Sequence, residues 1–355
     1  AVASPGERSA VAVRPHWLCI VFAAAALAAC STTADRGADR GAALGLAEAG
    51  VAASIAMSEE AAASRTAFLD DGRRVDLLFY LGRAAAPPAA VPTGEIARTS
   101  PARAANEETR RRIALVLLQR EQAMDALARA YAELGALAAA DPGADVRTAV
   151  GTFTERANIF IAAVGALPGV GALPLIGSLG ATAASEGLAL VAERRQREEV
   201  KRTSAEIRTA LLAVAAAVEA ERDHAAAIRQ GIIGTKASLR AALIEAGLAD
   251  HAATVATVAD LSGSAPREDA VERLEGPRGE RLRAALDGYQ KTEQARDAAV
   301  VAAAYETLIA ALRALVDEHR KLEADAPVDA TLIRLWAARI EEIAGRLRAA
   351  GHAGG

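Results

Sequence analysis

Few residues in this chain are of a type that does chemistry. Five histidines stand at 16, 224, 251, 319 and 352, and each is far from the others in sequence. A zinc or acid–base pair on a helix needs its members at i and i+4, where side chains share a face. His224 and His251 instead adjoin Asp223 and Asp250, and His319 adjoins Glu318; neighbours in sequence point apart on a helix. Each of the three therefore reads as a surface histidine. No serine stands in a nucleophile-elbow pattern, and no glycine-rich loop precedes a lysine as phosphate binding requires. Carboxylates are abundant but alternate with arginine, as in Glu193–Arg197 and Glu198–Arg202, which is the pattern of a solvated helix face. The expectation is a non-enzymatic protein without metal or cofactor.

Cysteine carries the one specific chemical signal. Arg8 and Arg14 precede an uncharged apolar run from Trp17 to Ala29. That run is shorter than the ~20 residues an ordinary transmembrane helix needs. It closes on Leu27-Ala28-Ala29-Cys30, followed by Ser31-Thr32-Thr33. A basic end, an apolar stretch and small residues before a cut are the parts of a secretory signal. This arrangement resembles the signal and lipobox of bacterial lipoproteins, over residues 1–31 alone. The resemblance implies cleavage after residue 29, lipid on Cys30 and membrane anchoring through two or more acyl chains, which single acylation would not secure. Ser31 in place of aspartate implies the outer membrane, with the body facing the periplasm. Loss of Cys19 with the signal leaves Cys30 alone, so the mature chain has no internal disulfide.

Composition sets the frame for the rest. Apolar residues make up 52% of the 355 and aromatic ones only 3%, with a net charge of -4. Alanine supplies roughly a quarter of the chain, far above its ordinary share, and it is the best helix former. With no basic excess and almost no aromatic stacking platforms, a nucleic-acid partner is not expected.

The elements follow from periodicity. After a polar tether over 30–41, two helices are expected within 42–83, broken at Asp70-Asp71-Gly72. Residues 84–102 hold Pro87, Pro88, Pro92 and Pro101 and mark a linker before a main helical bundle over 103–350. Asn106 reads as the cap of its first helix, with the stripe Ile113, Leu117, Met124, Leu127, Tyr131 and Leu134. A second stripe, Ile207, Leu211, Val214, Val218, Ala225 and Ile228, lies on a helix from about Glu186 to Gln230, ended by Gly231 and Gly234. A shorter pair of helices follows, over about 236–246 and 250–261. A long helix from about Glu280 to Ala324 carries Leu282, Leu286, Tyr289, Tyr305, Leu308, Leu312, Leu315 and Leu322. The last helix, from about Val328 to Ala350, carries Leu332, Leu335, Ile340, Ile343 and Leu347. Alternating β-branched runs are missing. The fold class is all-α: an elongated antiparallel bundle of long helices or coiled-coil hairpins.

One segment departs from this pattern. Ala157 to Ser185 carries no charge, and Pro168, Pro174 and several glycines interrupt it. Its expected form is an apolar helical hairpin with arms of about 10–12 residues, half the thickness of a bilayer core. Either it is buried in the bundle or its tip contacts a membrane through Phe160, Leu167, Val170, Leu173, Leu175 and Ile176. An apolar tip between long helices resembles, in layout, the α-helical pore-forming toxins of the cytolysin A and tripartite enterotoxin type, which implies a membrane-active protein as the second reading. The first is an envelope lipoprotein with a structural, adaptor or protein-interaction role.

Overall fold

The computed structural model describes residues 16–352 apart from 87–88, 96–97, 99–100, 142–143, 178–188 and short stretches between 253 and 275, and describes side chains from residue 40 onward except at 189–193, 225–234 and scattered further positions, chiefly between 276 and 302. Six long helices carry the fold: α1 (His16–Ala85), α2 (Pro101–Ala138), α3 (Val146–Gly165), α4 (Ala189–Glu245), α5 (Gly276–Glu323) and α6 (Ala330–His352). No strand occurs among the described residues. The all-α bundle read from the stripes is the fold.

Interhelical pairs give the directions. Arg65 of α1 meets Glu121 of α2, and Asp71 meets Arg110, so these two helices are antiparallel. Arg208 of α4 meets Glu323 of α5 and Arg222 meets Glu306, making a second antiparallel hairpin. Arg334 and Arg348 of α6 meet Glu48 and Glu59, so α6 runs alongside α1 in the same direction. Asp329 caps α6, its Oδ1 accepting from the Leu332 amide at 3.1 Å.

Several sequence expectations are corrected. α1 is continuous, so residues 30–41 and 70–72 are helical where a tether and a break were expected. Asp71 does not end the helix because its buried carboxylate accepts from Arg110 of α2 at 3.4 Å. α2 begins at Pro101, ahead of Asn106, with proline at the first helical position, where its missing N–H is no loss. α4 runs through Gly231 and Gly234 to Glu245. Two glycines cost a long helix only ~1 kcal/mol each. The Pro-rich segment 84–102 does not divide two cores: Met57 and Phe68 of α1 share one continuous apolar core with Leu127 of α2, Leu211 of α4 and Leu312 of α5.

In the charge-free segment the first arm is helical, as the end of α3. Residues 171–177 are non-helical where a second arm was expected to restart near Leu175, and the rest of that arm, 178–185, lies outside the described residues. Gln122–Arg156 and Glu133–Asp145 pairs set α3 antiparallel to α2, and Gln196 of α4 bonds Leu137 at the start of the same climb. Consecutive helices α3 and α4 therefore run the same way, and the chain between them must travel back along α3. It does so in non-helical form over 171–177. Gly169 and Gly171 make the reversal with φ of +82° and +79°, which L side chains rarely adopt. A Cβ on Gly165 would stand 3.1 Å from the carbonyl oxygen of Gly171. Asn158 then pins the strap: its Nδ2 donates to the Ile176 carbonyl at 3.1 Å and its Oδ1 accepts from the Ile176 amide at 2.7 Å.

Candidate functional site

The chemistry-bearing side chains of this protein lie inside the bundle, in two polar layers. In the first, α2 supplies Tyr131, α4 supplies Ser204 and α5 supplies His319, all buried. Tyr131 Oη lies 2.8 Å from His319 Nε2, and Ser204 Oγ lies 2.7 Å from His319 Nδ1. The Tyr131 and His319 rings stack with centroids 5.5 Å apart. α1 makes room with Gly50, where a Cβ would come within 2.4 Å of the Tyr131 ring. Burial, with Arg208 nearby, pushes the His319 imidazole down to about 3, so it is neutral at physiological pH. Burial also pushes the Tyr131 phenol above its ordinary range.

The second layer lies about 15 Å further along α1, at 1.5 Å per residue. Here Arg120 of α2 is held between two carboxylates. Its Nη2 donates to Glu60 Oε2 of α1 at 2.6 Å, and its Nη1 donates to Glu221 Oε1 of α4 at 2.8 Å. Tyr305 of α5 donates to the same Glu221 oxygen at 2.5 Å, and its ring faces the guanidinium at 5.5 Å. Ser64 donates to the other oxygen of Glu60 at 2.7 Å. Burial alone would lower the pKa of Arg120, but Glu221 and Glu60 outweigh it and hold it above the ordinary value. Four helices thus meet at one buried ion cluster, with two carboxylates around a single guanidinium.

Both layers follow one plan. Arg120 bonds once within its own hairpin, to Glu60, and once across to Glu221. His319 bonds once within the other hairpin, to Ser204, and once across to Tyr131. The α1–α2 and α4–α5 hairpins are therefore cross-linked at two heights by side chains that can satisfy each other only in one register. A buried charge left unpaired costs several kcal/mol, so a slip by one turn is heavily penalised.

The expected surface position of His319 is corrected: burial between Tyr131 and Ser204 replaces solvent as the source of its hydrogen bonds. His224 is partly buried and bonds the carbonyl of Pro168; His251 is also partly buried. The acidic–basic face expected on α4 is present among the described residues, and Glu193 of the expected Glu193–Arg197 pair lies outside the described side chains. Arg194 bonds Glu198, Arg202 bonds Glu199, and Arg197 reaches Asp325 at 2.7 Å. Lys201 and Arg197 together hold the Asp325 carboxyl below its usual range.

Of the candidate membrane contacts, Phe160 and Leu167 are buried, and Val170, Leu173 and Ile176 are half-buried against the main core. Leu175 alone projects, at 60% exposed. The lipidation candidate, Cys30, falls within α1 at a position where the described structure gives no side-chain surroundings. The part of α1 from Arg40 to Ala85 is long and apolar enough to cross a membrane, but 56% of its most apolar window is buried in the bundle, the placement of a core helix. Glu60, Arg120, Glu221 and Ser204 were not singled out by type or spacing. Their signal is positional, since each falls on the buried stripe of its helix where an apolar residue is due.

Neither a protein-family model, nor a curated protein, nor a solved structure matches this chain.

Proposed function

We propose that this chain is a non-enzymatic lipoprotein of the bacterial cell envelope, anchored by lipid on Cys30 and presenting helical faces to protein partners from the outer membrane. The observation that carries the reading is the run of Arg8, Arg14 and the uncharged Trp17–Ala29 into Leu27-Ala28-Ala29-Cys30. The interior supports a structural role: the buried ionisable groups bond one another across the two hairpins, an arrangement that fixes helix register. Replacing Cys30 with Ala tests the anchor. Palmitate-analogue labelling and precursor cleavage are both expected to be lost, and undiminished labelling of the variant would end the lipoprotein reading.

A second reading, a membrane-active helical protein, draws on Leu175 and Ile159, exposed at 60% and 38% beside the Asn158–Ile176 pair on the charge-free segment. Binding of the unlipidated body to liposomes, and its loss in Leu175→Asp, would favour that reading over the scaffold.

A further inference from the structure

His319 joins the two hairpins at one end of the bundle, and its surroundings suit only a neutral ring. Both ring nitrogens are bonded to hydroxyls, Tyr131 of α2 at 2.8 Å and Ser204 of α4 at 2.7 Å. α1 brings Gly50, which has no side chain, against the Tyr131 ring. α3 and α6 turn apolar Val150, Ile333 and Ala337 to the core. The charged groups around this layer offer the ring no counter-ion. Arg208 of α4 is a cation whose field opposes a second positive charge. Glu323, one turn beyond His319 on α5, is tied to Arg208 at 2.8 Å. Glu318 is tied to Lys321 and to the Asp329 amide, each at 2.6 Å. Arg147 of α3 acts on Glu206 of α4. A proton on the ring is therefore a buried charge without a partner. Burial, with Arg208 nearby, holds the closed ring at about 3, whereas a ring open to water takes up its proton near the ordinary 6.5. Each pH unit below ~6.5 thus favours an open form of this layer about ten-fold over the closed one.

The other layer does not share this sensitivity. Arg120 lies about 16 Å back along α2 at 1.5 Å per residue. Burial alone would lower its pKa, but Glu221 and Glu60 outweigh burial, so its charge persists. The end of α2 beyond Tyr131 is also the more weakly held. Ala132 is exposed and Glu133, Gly135, Ala136 and Leu137 are half-buried, which leaves Leu134 and Ala138 to bury apolar area. Alanine contributes little of it. Just past the helix, Ala140 takes a φ of +64°, a conformation L side chains rarely adopt. From outside, Arg40 donates to the Ala139 carbonyl and Gln196 to the Leu137 carbonyl, both at 2.6 Å.

We propose that His319 is an acid-sensitive latch: protonation of its ring frees the last two turns of α2 from α4 and α5. The Tyr131 end of the bundle then opens and uncovers Leu134, while the Arg120 layer stays closed. The inference is independent of lipid on Cys30.

Amide hydrogen exchange of the full-length chain in mild detergent tests it, at about pH 7 and about pH 4.5, corrected for intrinsic rates. Protection at Leu134 and Leu137 should fall at least ten-fold in acid, while amides at Leu117, Val218 and Leu308 keep theirs. His319→Gln, neutral at both pH values, should lose the acid response. Arg208→Gln should weaken it, because it removes the opposing cation and frees the Glu323 carboxylate to pair with a protonated ring. The Arg208 side chain is partly exposed, so this variant carries the test if His319→Gln does not fold. Three results would overturn the proposal: an end of α2 equally protected at both pH values, an equal loss around Leu117 and Leu308, or an acid response unchanged in either folded variant.

Discussion

Tyr131 and His319, remote in sequence, meet across the seam of two helical hairpins with Oη and Nε2 2.8 Å apart. Ser204 takes the other ring nitrogen, so a neutral imidazole is fully bonded in a place where an imidazolium would lose its hydration.

This makes stability depend on pH in one direction. The His319 pKa is about 3 in the folded bundle, against an ordinary 6.5. Unfolded chains therefore bind a proton below pH ~6.5 that the folded chain refuses, and the contribution of His319, complete above that pH, is lost as pH falls toward 3. The limiting slope for one such group is about 1.4 kcal/mol per pH unit. In urea titrations the stability gap between wild type and His319→Gln should shrink steadily from pH 7 to pH 4. Parallel profiles would show that His319 titrates normally.

Arg120 lies between Glu60 and Glu221, so its removal leaves two buried carboxylates facing each other. Arg120→Met should cost on the order of 3–5 kcal/mol, the usual penalty for breaking a buried pair. Adding Glu60→Gln and Glu221→Gln removes the stranded charge and should recover most of that loss. Arg120→Lys should fall between, because a point-like ammonium cannot serve two carboxylates as a planar fork does. Denaturation midpoints measure all of these. A loss below ~1 kcal/mol for Arg120→Met would mean the cluster is hydrated.

The strap over α3 hangs on one side chain. Asn158→Ala strips the Ile176 amide and carbonyl of their partner, a net loss of about 1–3 kcal/mol if they stay shielded from water. Exchange of the Ile176 amide should quicken at least ten-fold while amides around Leu127 and Leu312 keep their protection. Val170→Asp, half-buried against the core, should lower the melting temperature as well. Unchanged exchange at Ile176 would mean the strap is held by packing alone.

Local information in the sequence was sufficient for the main helices and most of their buried faces, but not all. Leu335, expected on the buried stripe of α6, is 64% exposed, as Leu282 of α5 is at 46%. The stripe through Ile113, Leu117, Met124, Leu127 and Tyr131 needs only a 3.6-residue period and chain connectivity. Its gap at 120, like those at 221 and 319 on the later stripes, already marks where polar groups enter the core. Which gaps meet is not local. Glu60, Arg120, Glu221 and Tyr305 converge only when four helices take one mutual register, and that register is fixed by the packing of the whole core around Gly50 and Tyr131. The same holds for the charge-free segment. Its glycines and prolines mark a reversal, but whether the chain returns as a helix or a strap depends on α3 and α4 running parallel, a matter of how distant helices dock on α2. Burial decided His319 for the same reason: an isolated histidine carries no mark of the phenol and hydroxyl that will enclose it, because both arrive from other helices.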